Sequence, residues 1–194
     1  FVPELQALAK QTETTCEQAV EQLTCQYDGY RFTPEKGFTP MFNPFSVLSA
    51  LSKSRFSDYW FASGTPTFLV EILKRTDFDL RQLDGIEVSS ASLSDDRANI
   101  ANPIPMIYQS GYLTIKSFDQ RFRSYTLGFP NEEVKYGFLN FAAPFYTPVA
   151  PNDTTFYIGK FVHELETGDT EAFLTRLTCF FADFPYELNT KTER

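Results

Sequence analysis

Cysteine and histidine are scarce in this 194-residue sequence, which contains three cysteines and one histidine. Cys16, Cys25 and Cys179 are odd in number and show no CxxC spacing, so the sequence indicates neither a disulfide framework nor a zinc site. His163 is the one imidazole available, which leaves Ser–His and Cys–His nucleophilic sites without support. Free thiols are typical of a reducing compartment, and the cysteine usage therefore predicts a cytoplasmic protein.

Long apolar runs and excess positive charge are also missing. No stretch approaches the ~20 apolar residues of a membrane-spanning helix, and no basic and then apolar leader opens the chain, so we expect no membrane partner. The formal net charge of -8 argues against nucleic acid wrapped around the whole chain, because phosphate binding requires a positive surface. The middle of the chain is mildly basic, and a weak local nucleic acid contact stays open.

The phosphate-binding motif GxxxxGK[ST] of P-loop ATPases is absent, and the Gly159–Lys160 pair is interpreted as part of a helix. Glu133–Lys135 matches the (D/E)xK tripeptide of metal-dependent nucleases. It follows Asn131, however, at a predicted helix start, where the helix dipole favours acidic residues. We therefore interpret Glu133 as a helix-start residue, and predict a chain with no catalytic residue, no metal site and no bound cofactor of its own.

Helical spacing dominates residues 1–84, which are expected to form an array of four helices without strands. The predicted helices lie around residues 5–9 and 16–23, and at 44–53 and 66–76. Thr14 with Glu17 predicts a capping box before the second helix. Asn43 and Thr65 are each followed by a proline, and this pairing predicts the starts of the third and fourth helices.

The pattern changes after Gly85 to alternation typical of strands. We predict a strand at 86–93, short helices at 95–101 and 105–111, and a hairpin of 113–116 with 124–127. This order is that of a winged helix. A further helix starts after Asn131 and runs to about Tyr146, prolines from Pro144 to Pro151 mark a boundary, and two helices follow at about 153–166 and 170–183.

The predicted fold class is therefore mainly α with a small β hairpin, an α+β arrangement. The predicted divisions are a helical part at 1–84, a winged-helix-like part at 85–147 and a helical connector at 148–194.

Several longer sequence segments point to one family. They are YDGYRF (27–32), FNPFSVL (42–48), DYWFASGTPTFLVEILK (58–74), YQSGYLTIK (108–116) and LGFPNEEVKYGF (127–138). Together they resemble bacterial AAA-ATPase-like proteins, abundant in Bacteroidetes, that end in a PD-(D/E)XK nuclease-like domain. The resemblance extends over nearly the whole chain.

This resemblance implies that the chain is the middle of a three-part protein. Residues 1–84 would be the lid of the ATPase, 85–147 a winged-helix-like domain, and 148–194 a connector towards the nuclease-like domain. The neighbouring ATPase and nuclease-like domains would then be its partners, and ATP with Mg²⁺ would bind the missing ATPase domain. The start at Phe1, which is not a methionine, also leads us to expect a piece of a longer protein, although a secreted protein whose leader has been removed would start in the same way.

In related ATPases the lid closes over nucleotide and reports its phosphate state. The residues expected to make that contact here are Asp28, Gly29, Tyr30, Asn43 and Pro44, because glycine backbones and helix N-termini suit anions. The alternative reading is that YDGY is only a turn.

Lys116, Arg121 and Arg123 on the predicted wing could contact phosphate or orient a neighbouring domain. Three functions stay open at this point: an ATPase lid and connector, a stand-alone winged-helix nucleic-acid-binding or regulatory module, and an aromatic-rich extracellular ligand-binding module. The charge of -8 weighs against the second, and the sequence segments above together with the free cysteines weigh against the third.

Overall fold

The computed structural model describes residues 1–34, 39–64, 69, 71–73, 78–93, 102–146 and 154–182. Within these ranges helices predominate and one small antiparallel sheet is present, so the predicted α+β class is confirmed. The chain divides into two compact units, Phe1–Phe138 and Leu139–Arg194, which are described separately below. The predicted functional division at residues 84 and 147 stays a prediction. Across the described ranges, no helix is long and apolar enough to cross a membrane.

The first unit contains most of the elements. The helices whose bounds the structure describes are α1 (Val2–Gln11), α2 (Cys16–Tyr27), α3 (Pro44–Lys53), α4 (Tyr59–Ala62), α5 (Ser90–Leu93), α6 (Ile104–Gln109) and the start of α7 (Glu132–Tyr146), and residues 69 and 71–73 are helical as well. Its strands are β1 (Ile86–Ser89), β2 (Thr114–Asp119) and β3 (Ser124–Gly128). A 3-10 turn occupies Leu80–Gln82.

Side-chain caps fix several helix starts. The Asn43 side-chain oxygen accepts hydrogen bonds from the Phe45 and Ser46 amides, with Pro44 at the first helical position, as predicted for α3. The predicted Thr14 capping box is wrong by one residue: Thr15 and Gln18 form it at the start of α2. Thr14 instead shares a hydrogen bond with the Thr12 hydroxyl. The Thr65 helix start lies outside the described residues.

The sheet has the order β1-β3-β2 with antiparallel pairing throughout. The predicted hairpin is confirmed, and both of its strands extend beyond the predicted bounds. The predicted strand 86–93 is only half right, because β1 ends at Ser89 opposite Ser124, the first residue of β3. With no further strand to pair with, the chain turns into α5, where the Ser92 amide donates to the Ser89 hydroxyl. The predicted helix at 95–101 lies outside the described residues.

The helical core of the first unit is built where α1, α2, α3 and α4 meet. Its buried members are Leu8, Leu23, Tyr27, Ala50, Leu51 and Tyr59. Tyr27 is fully buried and its hydroxyl donates to the Ser57 carbonyl at 2.9 Å. The core thus anchors the end of α2 beside the start of α4, and this fixes the position of the turn that follows Tyr27.

The second unit contains a hairpin of α8 (Thr154–Glu166) and α9 (Thr170–Ala182), close to the predicted bounds. Gly159–Lys160 lies within α8, as predicted. The Arg176 guanidinium donates to both carboxylate oxygens of Glu164 across the hairpin, and this hydrogen bonding lowers the pKa of Glu164. Pro144, predicted to mark a boundary, lies inside α7 near its end. Proline there removes one backbone donor without ending the helix.

Candidate functional site around Glu133

The sequence segments that carry the family resemblance are far apart along the chain, and their described parts meet in the first unit. The backbone N–H of Asn43 donates a hydrogen bond to the Tyr27 carbonyl, and the backbones of Tyr30 and Met41 form an antiparallel β-bridge. The Thr114 hydroxyl accepts from the Arg31 amide at 2.7 Å. The folded chain therefore brings the described parts of these segments to one junction between the helices and the sheet.

Glu133 lies at the centre of this junction and is 1% exposed. Its carboxylate accepts a hydrogen bond from the Ser46 hydroxyl of α3 at 2.7 Å and another from the Trp60 amide of α4 at 2.7 Å. Burial raises the pKa of Glu133 above its ordinary value, while the hydrogen bonds from Ser46 and Trp60 oppose that rise. One carboxyl group therefore joins three helices.

The interpretation of Glu133 as a helix-start residue is confirmed, but it is incomplete. Asn131 does cap α7, since its side-chain oxygen accepts from the Val134 amide at 3.1 Å. The first turn of α7 is nevertheless covered by α3 and α4, so Glu133 is buried among polar partners and is not solvated. A signal was present in the sequence: at 3.6 residues per turn, Glu133 shares a helix face with Val134, Gly137 and Phe138.

An aromatic layer packs beside this carboxyl group. The Tyr112 ring lies 5.3 Å from Trp60, 6.0 Å from Phe61 and 5.7 Å from Phe138 between centroids. Gly137 leaves room for Phe61, because a Cβ at this glycine would lie 2.5 Å from that ring. Rings at these separations contribute stability beyond their buried area.

The five predicted nucleotide-contact residues line two different cavities. Tyr30, Asn43 and Pro44 line a cavity of about 490 Å³ together with Phe32, Trp60 and Gly111, here called the aromatic cavity. Burial raises the pKa of Tyr30 to about 12. The neighbouring Asn43 side chain offsets part of this rise, although the two groups do not reach hydrogen-bond geometry.

Asp28 and Gly29 line a different cavity of about 360 Å³. It is here called the polar cavity, and its lining includes Asp28, Gly29, Asp84, Lys116, Asn131 and Lys135. Burial lowers the pKa of Lys116, and the nearby Asp84 carboxylate partly opposes this. The structure therefore groups Lys116 with Asp28 and Gly29.

The other two wing residues, Arg121 and Arg123, are exposed at the β2–β3 turn. The Asp119 carboxylate holds this turn by accepting from the Arg121 and Phe122 amides. Phe122 is 68% exposed, and the Arg121 guanidinium lies 5.1 Å from its ring centroid. The predicted wing is thus a surface turn that combines two cations with an exposed ring.

Among the residues that the structure describes, no group of three His, Cys, Asp or Glu side chains could hold a metal ion.

Comparison with known proteins gives one informative likeness. The chain is 30% identical over 190 residues to a protein of Azotobacter chroococcum mcd 1 named "Uncharacterized protein in vnfD 5'region". The match covers 96% of this chain but 34% of that protein, so the chain spans about a third of the length of the curated relative it matches. No protein-family model matches the sequence. No solved structure matches it either.

Proposed function

We propose that this chain is the nucleotide-responsive lid and interdomain connector of an AAA-like ATPase that carries a C-terminal nuclease-like domain. The observation that carries the proposal is the position of Glu133, which binds α3 and α4 from the first turn of α7. The length of the Azotobacter relative, of which this chain matches 34%, leaves room in that protein for further domains.

The proposed coupling runs from the aromatic cavity to α7. Asn43 and Pro44 line this cavity and start α3. Ser46 lies in the first turn of the same helix and donates to Glu133. A nucleotide phosphate that approached the start of α3 would therefore act on a helix tied to the base of α7, which continues to Tyr146. A buried hydrogen-bonded carboxylate transmits such a shift well, because breaking it leaves buried polar groups unpaired.

Hydrogen exchange in the complete protein, as its gene encodes it, tests this coupling. ATP is expected to slow amide exchange in residues 43–48 and also in residues 133–138 of the wild type. In Glu133→Gln, ATP should still slow exchange at 43–48 but no longer at 133–138, because the glutamine amide has one acceptor oxygen and cannot accept from both Ser46 and Trp60.

Glu87→Gln is the matched control, since Glu87 is exposed on β1. It should retain the wild-type exchange pattern at both segments. Failure of the complete protein to bind ATP would refute the lid proposal, and equal protection of 133–138 in Glu133→Gln would refute the coupling role.

A stand-alone winged-helix nucleic-acid-binding or regulatory module is the second candidate function. The sheet order β1-β3-β2, together with Arg121 and Arg123 on the exposed turn, favours it. Two arginines in a chain of charge -8 should give only weak, salt-sensitive binding, because affinity scales with the phosphates neutralised. We therefore favour a role for these arginines in orienting a neighbouring domain.

Fluorescence anisotropy with duplex DNA near physiological salt separates the two functions. We expect no sub-micromolar binding by the 194-residue chain. Tight binding that is lost when Arg121 and Arg123 are both changed to alanine would promote the nucleic-acid function.

A further inference from the structure

The polar cavity lies between the C-terminal end of α2 and the N-terminal end of α7. Cys25 and Asp28, at the end of α2, line one side, and Asn131 and Glu132, at the start of α7, line the other. The end of a helix carries partial negative charge and the start carries partial positive charge. The cavity therefore offers a cation-favouring side and an anion-favouring side.

Two side chains of this cavity have polar atoms without partners. Asn131 is 8% exposed and its oxygen caps α7, but its Nδ2 amide finds no acceptor among the described residues. The Asp28 Oδ1 atom likewise finds no donor in the described part of the chain. A buried polar group without a partner is costly, so such groups call for a ligand or another explanation.

The charges of the cavity are nearly balanced. Lys116 and Lys135 contribute positive charge, and Asp28, Asp84 and Glu132 contribute negative charge. The Lys135 ammonium lies 3.4 Å from the Asp84 carboxylate, and Arg31 is close enough to Lys116 to act on its charge. An anion alone would be repelled by the carboxylates, and a cation alone would be repelled by the lysines.

Close packing holds the two unpartnered groups beside the same cavity. Gly29, next to Asp28, has a φ of 113°, and a Cβ at this position would lie 2.0 Å from the carbonyl oxygen of Pro130, next to Asn131. Only glycine permits this approach of the two backbones. The donor and the acceptor are thus placed by the fold.

We propose that the polar cavity binds a free α-amino acid, a site that goes beyond the lid and connector function. The ligand carboxylate would bind Asn131 Nδ2 at the start of α7 with Lys116 nearby, and the ligand ammonium would bind Asp28 at the end of α2. A small zwitterion satisfies both unpartnered groups and both helix ends at once. A cavity of about 360 Å³ has room for its side chain.

Isothermal titration calorimetry of the 194-residue chain with a panel of the standard L-α-amino acids tests the site. At least one amino acid should bind saturably, and acetate, inorganic phosphate and methylamine should not. Asp28→Asn and Asn131→Asp should each weaken binding by about tenfold or more, because each removes one charge-assisted or amide hydrogen bond.

The two substitutions are nearly isosteric, and Asn131→Asp keeps an oxygen able to cap α7. Glu87→Gln, which lies outside the cavity, is the control and should bind as the wild type does. If one cavity variant fails to fold, as judged by circular dichroism, the other still decides the outcome. Absence of saturable binding by every amino acid, equal binding of acetate or methylamine, or unchanged affinity in a folded variant would overturn the proposal.

Discussion

At the scale of single residues, Glu133 links pH to stability. Its pKa is raised mainly by burial, so the folded protein keeps this proton at pH values where the unfolded chain has lost it. The raised pKa of Glu133 therefore contributes to the free energy of unfolding. The whole contribution is present below the pKa of the unfolded state, and it is lost as the pH rises through the pKa of the folded state. In Glu133→Gln, which cannot ionise, this part of the pH dependence should disappear.

Urea midpoints of wild type and Glu133→Gln, measured between about pH 4 and 8, give the difference. The wild type should lose stability relative to the variant as the pH rises. Parallel curves would mean that Glu133 is solvated in the folded protein.

Gly29 permits a second residue-scale prediction, with Gly85 as its matched control. Both glycines have positive φ, 113° and 95°, but a Cβ at Gly85 meets nothing within 4 Å whereas one at Gly29 meets the Pro130 carbonyl. Alanine at either position should cost about 1–3 kcal/mol in backbone strain. Gly29→Ala should cost clearly more in a denaturation experiment. Equal costs would contradict the close contact between the YDGY turn and Pro130.

At the scale of elements, the start of α3 depends on Asn43, whose side chain accepts from two backbone amides. Asn43→Ala should lower the free energy of unfolding by about 1–2 kcal/mol, because the cap is lost. Asn43→Asp keeps the acceptor and should lie close to the wild type. Chemical denaturation of the three proteins checks this, and an alanine variant as stable as the aspartate variant would show that the cap contributes nothing.

At the scale of the whole molecule, the isolated chain is expected neither to hydrolyse ATP nor to cleave DNA. Its sequence contains no P-loop, and Glu133, the acid of its (D/E)xK tripeptide, is buried and accepts hydrogen bonds from Ser46 and Trp60. Phosphate release from ATP and conversion of plasmid DNA, both against protein-free blanks, are the measurements. Turnover that scales with the amount of purified chain would contradict this expectation.

Local signals predicted the elements that depend on neighbours in the sequence. The Asn43 and Asn131 caps and the β2–β3 hairpin each rest on contacts within a few residues, and all are present. The capping box was displaced by one position because the adjacent threonines Thr14 and Thr15 offer similar hydroxyls, and the Thr14 hydroxyl is shared with Thr12. Only the backbone conformation selects among them.

The sequence by itself determined the helix-rich α+β class, the helix starts at Asn43 and Asn131 and the hairpin, since caps, turns and periodicity act over one or two turns of chain. The tertiary structure alone decided the burial and the partners of Glu133, because Ser46 and Trp60 lie 87 and 73 residues away along the chain. It also decided that the predicted contact residues divide between two cavities. Burial and hydrogen bonding between distant segments depend on packing, and no local pattern of residue types specifies which segments meet.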